Sequence, residues 1–201
     1  MNGVVLISGN GSNLQSLINK SNSIDLNISC VISNVPSAFG LERSTRSGID
    51  THTLNHKDYT SRHTFDNNLS EIINKYNPDI IILAGFMRIL TEEFTKKYFG
   101  KILNIHPSLL PKFQGLDTHQ RVIEAKEKKH GVSVHFVTEH LDGGPIIAQR
   151  VIDVLPSDDA ESLAKKVLIE EHKIYPEVVQ WYTSGRLKLD NDIVLLDNKP
   201  I

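Results

Sequence analysis

The chain reads as an α/β fold: an open, mostly parallel twisted sheet with helices on both faces and an antiparallel C-terminal extension. Three observations carry this. Short β-branched runs alternate with amphipathic helical stretches through the first hundred residues, the pattern of crossover units. The run Ile80-Ile81-Ile82-Leu83-Ala84-Gly85 is continuously apolar, as in a parallel strand covered on both faces. Beyond His130 two strand-like segments follow one another through a Gly-rich turn with no helix between them, as antiparallel partners do.

The first unit opens with strand-like Gly3 to Ile7 and passes through Ser8-Gly9-Asn10-Gly11-Ser12-Asn13 into a helical pattern. Two glycines allow backbone amides to approach an anion, Ser12 and Asn13 are candidate helix caps, and the free N–H groups at a helix start favour phosphate. A tight turn that merely needs glycine is the alternative. A mononucleotide-type phosphate fits this Rossmann-like loop better than a dinucleotide, because Leu14 stands where a third glycine belongs.

A second strand over Leu26 to Ile32 holds the single cysteine, Cys30, read as a buried structural thiol. Helical Ala38 to Ser47 stops at Gly48, and an extended piece covers Thr51 to Leu54. The stretch Tyr59 to Tyr76 places Phe65, Leu69, Ile72, Ile73 and Tyr76 on one helical face, with Arg62 off that stripe. After the central strand at Ile80, Phe86 to Leu90 reads either as an apolar cleft wall with one Arg or as ordinary loop packing. Thr91 starts a helix reaching Tyr98.

In Lys101 to Pro111, Asn104 and His106 are two residues apart and share one strand face, and Pro107 puts His106 at the strand's carboxyl end, where open α/β sheets bind ligands. The pair serves a site or satisfies loop backbone. Pro111 to Gln120 reads as a loop, a lid hinged near Gly115, and Thr118 to Lys129 as a solvated helix. His130 to Thr138 and Ile146 to Leu155 form a hairpin whose tip presents Asp142, a residue that is also ordinary turn chemistry. The last helix begins at Ser157-Asp158-Asp159, with Leu163, Val167, Ile174, Val178 and Trp181 on its stripe and Pro176 expected to kink it. Glu171 falls on the same stripe, for substrate contact or for snorkelling. Leu187 to Leu196 suggests a small hairpin turning at Asp190-Asn191.

The 201 residues, 39% hydrophobic and 23% charged, are ordinary globular composition, and a net charge of −2 without a basic block argues against a nucleic-acid partner. The strand following Met1 is too short for a signal peptide and no apolar run spans a membrane, so a cytoplasmic protein is expected. Nine His without H-E-x-x-H or paired-Cys spacing make a metal site unexpected.

Four segments together resemble the glycinamide ribonucleotide formyltransferase family of folate-dependent enzymes. They are Val5 through Gln15, Leu83 through Leu90, Leu103 through Pro111, and His130-Gly131 through Asp142-Gly143-Gly144, so the likeness spans almost the whole chain. It implies one domain over residues 1–201, with a phosphate-binding half (1–100) and a catalytic, folate-binding half (101–201). It further implies transfer of a formyl group from 10-formyltetrahydrofolate to the amine of glycinamide ribonucleotide in purine biosynthesis.

By the same resemblance Asn104, His106 and Asp142 are the catalytic trio, and Gly11, Ser12, Asn13 and Glu171 bind the ribonucleotide. Arg62, Met87, Arg88, Ile89, Leu90, Asn104, His140, Leu141 and Asp142 border the folate. One departure stands at Asp117, where some members carry a second His. The residues suit this chemistry. An amine attacking a formyl carbon creates an oxyanion, Asn104 offers a neutral N–H and protonated His106 a charged one, and a nearby Asp142 carboxylate favours the imidazolium. His106 or water would carry the proton, with no metal or covalent enzyme intermediate. A 10-formyltetrahydrofolate hydrolase, a formylating enzyme of initiator tRNA and a non-catalytic phosphosugar-binding protein are the rival readings. Oligomeric state stays open, a homodimer included.

Overall fold

The computed structural model describes residues 1–201. Seven strands form one sheet: β1 (Asn2–Ile7), β2 (Asn27–Ser33), β3 (Asp50–Thr53), β4 (Ile80–Leu83), β5 (Ile102–His106), β6 (Lys129–Phe136) and β7 (Ile146–Asp153). Their order is β3-β2-β1-β4-β5-β6-β7; the first five run parallel and the last two antiparallel. The order reverses between β1 and β4, and at such a point the connecting loops part and leave a crevice at the carboxyl ends of the strands.

Helices α1 (Ser12–Lys20), α2 (Phe39–Arg46), α3 (Arg62–Lys75), α4 (Glu92–Lys97), α5 (Thr118–Glu124) and α6 (Ala160–Thr183) complete the layers. The strand period of two sorts the core. Val5 and Ile7 pack with Leu14, Leu17, Val167 and Val178 on the face of α1 and α6, whereas Val4 and Leu6 pack with Phe65, Leu69, Ile73 and Phe94 on the face of α3 and α4. Both faces of the parallel part are therefore dry, as the Ile80 run requires. A second, antiparallel sheet of β8 (Leu187–Asp190), β9 (Ile193–Leu196) and β10 (Lys199–Pro200) forms the C-terminal extension. No helix is long and apolar enough to cross a membrane.

Several local expectations change. Neither Ser12 nor Asn13 caps α1; Gly11 is the N-cap, at φ +74°, with no side-chain cap. The helix expected from Tyr59 starts at Arg62 behind a Ser61 cap, after a short 3₁₀ turn at His56–Asp58. Helix α5 ends at Glu124 rather than Lys129, because Lys126 turns left-handed (φ +53°) and Lys129 already belongs to β6. Helix α6 spans 24 residues with Pro176 inside it, and starts one residue after Asp159, which forms a capping box with Ser162. The final hairpin turns at Asn191-Asp192, both at positive φ, a residue later than read from the sequence.

Candidate active site

Strand β5 delivers Asn104 and His106 to its carboxyl end, as the alternation of side chains dictates, and the 137–145 loop folds Asp142 over them at φ +47°. His106 Nδ1 lies 3.5 Å from Asp142 Oδ2, with both side chains almost fully buried. Asn104 Nδ2 reaches towards Asp142 Oδ1 at 3.5 Å and donates to His135 Nε2 at 3.1 Å. His135 Nδ1 donates to the Phe136 carbonyl at 2.8 Å. Burial holds the His135 ring below the ordinary imidazole range, so it is neutral, with its single proton on Nδ1 and its Nε2 lone pair facing the Asn104 amide.

The 111–117 loop is docked on this trio. Phe113 O accepts from His106 Nε2 (2.9 Å), Gly115 N donates to Asp142 Oδ2 (2.9 Å), and Gln114 Nε2 donates to Asp142 O (3.2 Å). Phe113, Gly115 and Asp117 all have left-handed backbones, and Arg121 of α5 grips the carbonyls of Gln114 and Leu116. Asp117 serves as the N-cap residue of α5 and makes no side-chain cap. Behind the loop, Ser133 Oγ accepts from Leu110 N and Gln149 Nε2 and donates to Ser108 O, which fixes the turn after His106.

A small, half-open cavity lies beside the trio. Of the residues expected against folate, Arg88, Ile89, Leu90, Asn104, His140, Leu141 and Asp142 line it. Arg62, exposed at the start of α3, and Met87, exposed at the rim, do not. Its remaining walls are Leu83, Phe86 and Val137 with His135, Thr138 and Glu139, a mixed lining that offers apolar contact and hydrogen-bonding groups together, as a polar heteroaromatic ligand requires.

Beside it, at the end of β1, Gly11 holds the start of α1. The first intrahelical bond runs from Gln15 N to Gly11 O, which leaves the preceding amides of the helix start directed outwards. Glycine is required at position 11 by its φ and because a Cβ there would lie 2.7 Å from Gly40 Cα; Gly9 has open space around it. Asn13 is turned into the protein, donating through Nδ2 to Glu171 Oε2 at 2.6 Å, and its Oδ1 is buried without a partner. Burial pushes the Glu171 carboxyl above the usual range, against the Asn13 bond. Glu171 thus neither snorkels nor meets a cation.

Sequence reading missed several contributors. His135 was read only as part of an alternating strand. Half-buried His119 and buried His130 form a pair, Nδ1 to Nε2 at 3.0 Å. Their spacing along the chain matches no motif, and only the packing of α5 on β6 brings them together. No three His, Cys, Asp or Glu side chains are grouped so as to hold a metal ion.

Comparison with known proteins identifies the family. The formyl transferase family model matches residues 1–179. The chain is 49% identical over 201 residues to phosphoribosylglycinamide formyltransferase of Escherichia coli (strain K12), covering 99% of this chain and 95% of that one. Among solved structures, the phosphoribosylglycinamide formyltransferase of Coxiella burnetii superposes with a TM-score of 0.96 at 47% identity, covering 100% and 95% of the two chains. Glycinamide ribonucleotide transformylase 1 of Symbiobacterium toebii superposes with a TM-score of 0.93 at 39% identity, covering 98% and 93%. With the family match over residues 1–179 and the near full-length likeness to these relatives, this chain belongs to the formyl transferase family.

Proposed function

We propose that the chain transfers the formyl group of 10-formyltetrahydrofolate to the amine of glycinamide ribonucleotide, a step of purine biosynthesis. The observation that carries this reading is the convergence of Asn104, His106 and Asp142 at the end of β5, with Asn104 and Asp142 lining the adjoining cavity. The ribonucleotide phosphate binds the amides around Gly11, Ser12 and Asn13, with Glu171, bonded to Asn13, facing the ribonucleotide. The folate pterin lies in the cavity bordered by Arg88 to Leu90 and His140 to Asp142, with Met87 next to that wall and Arg62 outside the lining. The folate wall therefore draws on both halves of the single domain.

The amine lone pair attacks the formyl carbon, the new C–N bond forms, and the carbonyl becomes an oxyanion. Asn104 stabilises it. One of its N–H groups is held by His135, and the other engages Asp142 only at 3.5 Å and is free to turn to a stronger acceptor. His106, whose Nδ1 lies 3.5 Å from Asp142 Oδ2, supplies a second donor through Nε2 when substrate takes the place of the Phe113 carbonyl. The intermediate collapses by breaking the bond to N10, and the proton lost by the amine passes through His106 or water to N10. Atoms and charge balance, with tetrahydrofolate and the formylated ribonucleotide as products and no metal required.

The hydrolase reading uses the same trio but gives the helix start no role. The test is folate release from 10-formyltetrahydrofolate with and without glycinamide ribonucleotide. Turnover only with the ribonucleotide supports the transferase; equal turnover without it establishes the hydrolase.

A further inference from the structure

Ser8 is the first residue beyond β1 and stands at the point where the strand order reverses. Three bonds leave it. Its backbone N–H donates to Gly85 O at 3.1 Å, its Oγ accepts from Met87 N–H at 2.7 Å, and the same Oγ donates to Asn34 Oδ1 at 2.5 Å. The directions are forced. A backbone N–H only donates, so the hydroxyl accepts from Met87 and spends its one proton on Asn34. Asn34 is itself buried and tied to His56, so the far end of the relay is fixed.

What this relay holds is the segment Phe86–Leu90, which has no regular secondary structure and forms one wall of the cavity. Its other end is held independently, by Asp66 Oδ2 accepting from Thr91 N at 2.6 Å. Ser8, however, is also covalently continuous with Gly9–Asn13, the loop that opens α1. One side chain therefore links the wall of one site to the loop of the other, across the crevice in which the two must meet.

We propose that Ser8 is a positioning residue for formyl transfer, its hydroxyl setting the registration of the anion-binding loop against the cavity wall. The inference rests on the transferase reading above. Ser8 touches no reacting atom; it acts through Met87 and the loop. Without the hydroxyl each substrate still finds its own site, because the Ser8 N–H bond to Gly85 and the Asp66 anchor remain. What is lost is the alignment of the amine with the formyl carbon, and small misplacements of this kind cost rate rather than affinity.

The test is steady-state kinetics with both substrates on the parent, Ser8→Ala, Ser8→Cys and Ser8→Thr enzymes, at a temperature where circular dichroism shows them folded. For Ser8→Ala the expected result is a kcat about tenfold or more below the parent, with each KM within about threefold. Ser8→Thr, which keeps the hydroxyl, should return kcat to within about threefold of the parent. If Ser8→Ala does not fold, the nearly isosteric Ser8→Cys carries the test with the same expectation. A folded variant with parental kcat and only a lowered melting temperature overturns the proposal, as does a loss confined to one KM. A parent enzyme that fails to turn over with ribonucleotide overturns the functional reading instead.

Discussion

His135 Nε2 accepts from Asn104 Nδ2 at 3.1 Å, so the amide proposed to meet the oxyanion is oriented by a neutral histidine on the neighbouring antiparallel strand. The tautomer follows from the Phe136 carbonyl, which only accepts. His135→Phe should therefore lower kcat about tenfold or more with little change in ribonucleotide KM. In a double-mutant cycle, His135→Phe added to Asn104→Ala should cost almost nothing further. Additive losses would show that His135 acts through something other than the amide.

Glu171 carries opposite consequences for stability and binding. Its carboxyl is raised above the usual 4.5 chiefly by burial, so the folded state holds the proton more tightly than the unfolded chain. Stability contributed this way is present at low pH and is lost as pH rises from about 4.5 through the folded value. Glu171→Gln should be more stable than the parent at pH ~8, with the gap closing towards pH ~5 in thermal melts. The same substitution should raise ribonucleotide KM about tenfold, through loss of a charge-assisted hydrogen bond.

The His119–His130 pair makes the fold acid-sensitive. Burial holds His130 at about 4, below its ordinary 6.5, with His119 and His106 adding to the effect. Between those values the unfolded chain takes up a proton that the folded chain refuses, so stability falls as pH drops through the window and levels off below it. Urea unfolding at pH ~7 and ~5 should show this loss in the parent and a shallower loss in His130→Gln. Equal slopes would remove His130 as the source.

Gly11 tests the division of the crevice. A side chain there must take a positive φ and lie against the Gly40 backbone, so Gly11→Ala should melt below the parent by roughly 1–3 kcal/mol. On the folded fraction, ribonucleotide KM should rise at least about tenfold while folate-analogue affinity, read by titration, stays within a few-fold. The reverse pattern would assign this loop to folate.

The parallel sheet, its central strand and the Asn104–His106 face were legible because side-chain periodicity is a local property of the chain. The glycine-rich loop was legible too, although the cap moved to Gly11, since the choice between Gly11, Ser12 and Asn13 depends on how α2 packs against the loop. Asp142 could be placed at a hairpin tip, but its distance to His106 depends on the fold of the 137–145 loop. What local sequence could not supply were partnerships made across elements: His135 with Asn104, His119 with His130, Ser8 with Met87, Asn13 with Glu171. The docking of Phe113 and Gly115 was equally hidden, because backbone carbonyls and amides have no sequence signature. Arg62 was placed with the folate residues by family likeness alone, and the structure sets it outside the cavity lining.

The central claim is that His106, held between Asp142 and the Phe113 carbonyl, takes part in the chemical step and not in ribonucleotide binding. The direct measurement is single-turnover formyl transfer by His106→Ala beside ribonucleotide titration of the same preparation. The account predicts a rate at least about a hundredfold below the parent, with ribonucleotide Kd unchanged within a few-fold. A near-parental rate, or a loss that appears wholly in Kd, would contradict it.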